Sequence, residues 1–95
     1  MAVYIDKFDL RIYSRKMLIE CYNNTKGLVA TISFADPGSP PVYLKSQWTQ
    51  AGIAELHYPL AQYNAVIELL RNDKTVAINE NTEGFFIGSI PTPVG

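Results

Sequence analysis

Three runs in the first third of the chain alternate apolar and polar side chains with a period of two, and their apolar sets can be laid side by side. Phe8, Leu10 and Ile12 alternate with Asp9, Arg11 and Tyr13; Met17, Ile19 and Cys21 alternate with Leu18, Glu20 and Tyr22; Leu28, Ala30, Ile32 and Phe34 alternate with Val29, Thr31 and Ser33. Successive side chains of a strand point to opposite sides of its sheet, so the pattern predicts an antiparallel meander with one buried face. A turn at Ser14 and Arg15 sets Ile12 opposite Met17, Leu10 opposite Ile19 and Phe8 opposite Cys21. A second turn at Asn24 and Thr25 sets Cys21 opposite Leu28, Ile19 opposite Ala30 and Met17 opposite Ile32. A slip of one residue in either hairpin would turn an apolar set into water, which fixes the faces. Val3 and Ile5 are out of phase with Phe8, Leu10 and Ile12, and this predicts a bulge or break near Asp6 and Lys7.

The rest of the chain reads as one continuation of the same domain, spanning residues 1–95. Asp36, Pro37, Gly38, Ser39, Pro40 and Pro41 end the meander in a loop, because proline gives no ladder donor and Gly-Ser favours turns. Two short strands are expected at 42–45 and 53–58, separated by a polar stretch at 46–50. Leu60, Tyr63, Val66, Ile67 and Leu70 recur at helical spacing and predict one amphipathic helix over 60–72, with Pro59 at its first turn. Strands at 75–78 and 85–90 then form a hairpin, followed by a tail containing Pro91, Pro93 and Gly95. The expected fold is α+β: a mainly antiparallel sheet of five to seven strands packed on one face by the single helix, with the helix placed before the last hairpin.

Composition narrows the class of function. A hydrophobic content of 47% against 18% charged residues excludes general disorder, and a net charge of −1 gives no footprint of a nucleic-acid or membrane-surface protein. No apolar run reaches bilayer-spanning length, and no secretory leader pattern precedes the first strand. The single cysteine, Cys21, has no intrachain disulfide partner and lies in the inward column, so it reads as a small core hydrophobe and the chain as cytoplasmic. Asn23, Asn24 and Thr25 match a glycosylation sequon, but at a hairpin tip they read as turn residues.

Candidate chemistry is sparse. His57 is the only histidine and Glu55 lies two residues before it on the same strand face, an arrangement that could orient an imidazole for base catalysis. The same pair occurs on any solvated strand, and no nucleophile stands with it; the plain reading carries more weight. A cleft between helix and sheet would draw His57 and Glu55 together with Tyr58 and Tyr63 into a ligand site. A Cys21–His57 thiolate pair is disfavoured because an apolar column keeps a thiol protonated. No cofactor or metal site is expected.

The outward face of the meander carries a sharper anomaly. The register that aligns the core places Asp9 opposite Glu20, and like charges across a ladder repel. Arg11 reaching diagonally is the simplest compensation. Arg11, Leu18, Glu20, Tyr22 and Val29 therefore form a candidate interaction surface, to which Trp48, an aromatic among Ser46, Gln47, Thr49 and Gln50, is added; the alternative for Trp48 is a ring that closes the sheet edge. Lys7, Arg11, Arg15 and Lys16 interleave with Tyr4, Tyr13 and Tyr22 in the manner of single-stranded nucleic-acid binders, but Asp6, Asp9 and Glu20 break the patch. Glycines stand singly and form no phosphate loop.

The stretch from Ala65 to Val76, with Gly84-Phe85-Phe86-Ile87-Gly88 and Pro93-Val94-Gly95, resembles the ends of short free-standing bacterial proteins of unknown function, some carried by mobile integron gene cassettes. The resemblance covers less than half of the chain and implies a complete small bacterial protein, with no catalytic or binding position. Uncovered strand edges and apolar positions such as Leu18 and Val29 lead to the functional expectation of a non-enzymatic binding or interaction module acting as a homodimer. A small-molecule binder or enzyme using the helix/sheet cleft, and single-stranded nucleic-acid binding by the N-terminal sheet, are the alternatives.

Overall fold

The computed structural model describes residues 2–14, 16–35, 45–72 and 75–89. The α+β class and the mainly antiparallel sheet are as the alternation predicts. The described strands are β1 (Val3–Ile5), β2 (Lys7–Ile12), β3 (Lys16–Asn23), β4 (Gly27–Ala35), β5 (Gln47–Trp48), β6 (Ala54–Pro59), β7 (Val76–Asn81) and β8 (Gly84–Ser89). Among the described residues the strands number eight, because the first run divides and Gln47–Trp48 adds a two-residue strand inside the polar stretch. The expected strand at 42–45 lies, apart from Lys45, outside the described residues, as do Arg15, the loop at 36–41 and the tail.

The strands form two sheets. A five-stranded sheet has the order β2-β3-β4-β6-β5, and a three-stranded sheet the order β1-β7-β8. All pairings are antiparallel except β4 with β6, which is parallel. The phase break near Asp6 is the point where the chain leaves one sheet for the other. Asp6 N–H donates to Tyr22 O at 2.8 Å, Asp6 Oδ2 accepts from Asn24 N at 2.7 Å, and Asn23 Nδ2 donates to Tyr4 O at 3.2 Å, so the tip of the β3–β4 hairpin holds the bend.

The first hairpin has the expected register, with Ile12 opposite Met17, Leu10 opposite Ile19 and Phe8 opposite Cys21. The second differs. Cys21 faces Ala30, Ile19 faces Ile32 and Met17 faces Phe34, two positions from the pairing a two-residue turn would give. The cause is a longer loop: Asn23 pairs with Gly27, and Asn23 Oδ1 accepts from Thr25 N (2.9 Å), Thr25 Oγ1 (2.6 Å) and Lys26 N (3.2 Å). Gly27, at φ 78°, supplies the left-handed residue that returns the chain to the strand. A bulge between Cys21 and Tyr22 then restores the parity of the inward column.

The core joins both sheets and the helix. Ile19, Cys21, Ala30, Ile32, Phe34, Ala54, Leu56 and Ile78 are wholly buried. The helical segment begins with a 3₁₀ turn, Leu60–Gln62, preceded by Pro59, and continues as α1, Tyr63–Asn72, burying Val66, Ile67 and Leu70. Tyr63 meets Phe34 edge-on with ring centroids 5.4 Å apart. From the smaller sheet come Val3, Ile5, Val76 and Ile78. Helix and small sheet thus cover the inner face of the large one. No helix among the described residues is long and apolar enough to cross a membrane.

Candidate functional site

The outer face of the large sheet is built by strand alternation from β2, β3, β4, β6 and β5. One row runs Asp9, Glu20, Thr31, Glu55, Gln47; the next runs Arg11, Leu18, Ser33, His57. Asp9 does face Glu20, and the diagonal arginine answers the repulsion: Arg11 Nε lies 3.0 Å from Glu20 Oε1. That oxygen is shielded from solvent and has no hydrogen-bond donor among the described residues, so the compensation is a charge contact. A side-chain hydrogen bond with Tyr13, and then the Glu20 carboxylate, hold the exposed Arg11 guanidinium above its ordinary value.

Of the expected interaction surface, Arg11, Leu18, Glu20 and Tyr22 share this face. Val29 does not. The bulge leaves it as the extra residue between Leu28, opposite Tyr22, and Ala30, opposite Cys21, and it is buried in the core. Trp48 lies on the other face of the sheet, packed against Phe85 with ring centroids 5.2 Å apart and donating Nε1–H to Glu80 Oε1 at 3.2 Å. Its ring closes the seam between the two sheets, the alternative reading for a tryptophan in polar sequence.

The expected ligand cluster is divided by the sheet. Glu55 and His57 pair with Thr31 and Ser33 on the outer face, whereas Tyr58 pairs with the buried Phe34 on the inner one, its ring centroid 6.3 Å from that of Phe34. Tyr63 reaches the same Phe34 from the helix. Burial raises the Tyr58 phenol above its ordinary value. Glu55 Oε1 accepts from Gln47 Nε2 at 3.4 Å, and the backbone of His57 donates to Ser46 Oγ at 3.1 Å. The four side chains therefore do not converge, and the adjacency of His57 to Tyr58 in sequence is what separates them.

At the basic end of the first hairpin, Lys7 Nζ stands 6.0 Å from the Tyr22 ring centroid and Lys16 Nζ 5.4 Å from that of Tyr13. These are the distances of cation–π contacts, which engage the tyrosine faces that a stacked base would use. Among the described residues, no group of three or more His, Cys, Asp or Glu side chains could hold a metal ion.

What sequence reasoning passed over is the inner side of the edge strand. Phe8 and Leu10 are only half-buried and Ile12 is 72% exposed, although Ile19 and Ile32 in the neighbouring strands are at 0%. The signal was the meander itself: its apolar row continues to β2, past the reach of one helix and a three-stranded sheet. No family model, curated protein or solved structure matches the chain.

Proposed function

We propose that the chain is a non-enzymatic binding or interaction module that acts as a homodimer. The observation that carries this reading is the apolar row Phe8, Leu10, Ile12 on a strand at the edge of the sheet among the described residues, left incompletely covered where Ile19 and Cys21, one strand further in, are wholly buried. An exposed apolar group beside an unpaired strand edge favours association with another chain. The division of Glu55 and His57 from Tyr58 and Tyr63 weakens the cleft reading, and lysines seated over Tyr13 and Tyr22 weaken the nucleic-acid one. The single cysteine and the C-terminal resemblance supply the setting of the proposal, a small bacterial protein of the cytoplasm.

Sedimentation equilibrium tests the reading. A species of twice the 10.6 kDa chain mass at micromolar concentration is expected, and a monomer up to about 100 μM, a Kd weaker than about −5.5 kcal/mol of association, would overturn it.

A further inference from the structure

Resting on the homodimer reading, we propose the surface and register of the contact: two copies pair antiparallel through β2 about a two-fold axis at Leu10, joining their five-stranded sheets into one. Backbone direction and side-chain face, which agree on one parity, and then charge select this pairing.

The first is the backbone. Tyr13 N–H donates to Lys16 O at 2.8 Å, and Tyr13 and Lys16 continue the β2–β3 register. Hydrogen-bonded and non-hydrogen-bonded pairs alternate along an antiparallel ladder, so Arg11 and Asp9 direct their backbone groups to β3. Phe8, Leu10 and Ile12 direct theirs to the open edge, where β2 has no neighbour among the described residues. Directly opposed residues must both be of this set for a new ladder to form.

The second is the face. Opposed residues of an antiparallel pair project to the same side, so Phe8, Leu10 and Ile12 must meet their own kind for the two inner faces to be continuous. Of the registers this parity allows, those that keep at least two of the three apolar residues opposed to one another have Leu10 opposite Leu10, Asp9 opposite Asp9, or Arg11 opposite Arg11.

Charge decides among them. With Asp9 on the axis, Asp9 meets Asp9 and Lys7 meets Arg11; with Arg11 on the axis, two guanidiniums meet. Like charges directly opposed are destabilising. With Leu10 on the axis, Asp9 meets Arg11 twice, Phe8 covers the exposed Ile12 twice, and Lys7 comes opposite Tyr13. Asp9, which already faces Glu20 in its own chain, gains an opposite charge across the new ladder. The same charges that bar indiscriminate edge pairing admit this one register.

Charge reversal tests the register. Asp9→Arg places an arginine opposite Glu20 within the chain, which favours the hairpin, yet sets Arg opposite Arg11 across the axis; Arg11→Asp sets Asp opposite Asp9. Each variant alone is expected to dimerise at least about tenfold more weakly than the wild type, and an equimolar mixture to recover a heterodimer, because both cross-axis charge contacts then join opposite signs. Ile12→Lys alters a side chain that is 72% exposed, so it should remain a folded monomer whose unfolding midpoint is independent of protein concentration and falls below that of the wild type only by what association contributes. A wild-type dimer whose affinity is unchanged by Asp9→Arg and Ile12→Lys overturns the β2 contact while leaving the homodimer standing. Loss of affinity in Ile12→Lys with none in Asp9→Arg overturns the register. A monomeric wild type overturns both.

Discussion

Asp9 stands directly opposite Glu20 in the β2–β3 ladder, and the pair is tolerated because Arg11, one position along the same face, brings Nε to 3.0 Å from Glu20 Oε1. Two carboxylates and one guanidinium form a unit that two-body accounting misjudges. Arg11→Ala leaves both carboxylates facing each other and should lower the unfolding midpoint, whereas adding Asp9→Asn removes the repulsion and should recover most of the loss. Thermal melts in an Ile12→Lys background separate this from association. The difference between Arg11→Ala and its parent should shrink in about 1 M salt, where the Debye length falls to about 3 Å. A deficit untouched by either Asp9→Asn or salt would show that Arg11 acts through its packing instead.

Two acids withdrawn from water, the buried Cys21 and the half-buried Tyr58, should make the fold weaken at alkaline pH. Burial pushes the Cys21 thiol from 9.0 up to about 12 and raises the Tyr58 phenol. A group whose folded pKa lies above its unfolded one holds its proton longer in the folded chain, so its contribution is fully present below the unfolded value and is lost as pH rises toward the folded one. Stability should therefore begin to fall above about pH 9. Cys21→Ala, at a cost of about 1 kcal/mol near neutrality, should flatten this decline when urea midpoints are compared between pH 8 and 10. The native thiol should also resist aromatic disulfide reagents at pH 8 and react as the chain unfolds; rapid reaction without denaturant would contradict its burial.

Much of this architecture is written in local alternation, and the exceptions have identifiable causes. Met17, Ile19 and Cys21 are half-buried to fully buried because a period of two leaves them no other face, and the helical stripe from Leu60 to Leu70 is equally explicit. The second hairpin escaped because Asn23 draws three donors into its side-chain oxygen and lengthens the loop, after which a bulge moves Val29 inside; neither event changes the apolar count on which a pattern depends. The separate small sheet and the parallel β4–β6 pairing are long-range choices with no local signature. The division of the candidate ligand residues between two faces has a cause visible in sequence, since His57 and Tyr58 are neighbours on a strand and face opposite ways.

Trp48, the only tryptophan, reports on the seam between the sheets. Its indole meets Phe85 and donates to Glu80, both on the β7–β8 hairpin. Phe85→Ala should cost about 2 kcal/mol, less than a fully buried phenylalanine because Phe85 is half-buried, and should shift Trp48 emission to the red as water reaches the ring. Glu80→Gln keeps an acceptor but removes its charge, so a smaller loss, about 1 kcal/mol or less, is expected. A Phe85→Ala protein with wild-type emission would place Trp48 elsewhere.

Two glycines predict opposite outcomes for the same substitution. Gly27 closes the β3–β4 loop at φ 78°, and a Cβ there would meet nothing within 4 Å, so the cost of Gly27→Ala is one of backbone conformation alone, about 1–2 kcal/mol. Gly27→Asn should recover part of it, since asparagine visits the left-handed region more readily. Gly88 sits within β8 without positive φ, and a Cβ there would make an ordinary 3.8 Å contact with Phe86 Cδ2. Gly88→Ala should therefore stabilise the fold by about 0.4–1 kcal/mol, chiefly by reducing the freedom of the unfolded chain. Urea denaturation of the three variants decides the matter: equal losses at Gly27 for Ala and Asn would argue against a left-handed residue at that turn, and a loss at Gly88 would mean that β8 lacks room for a methyl group.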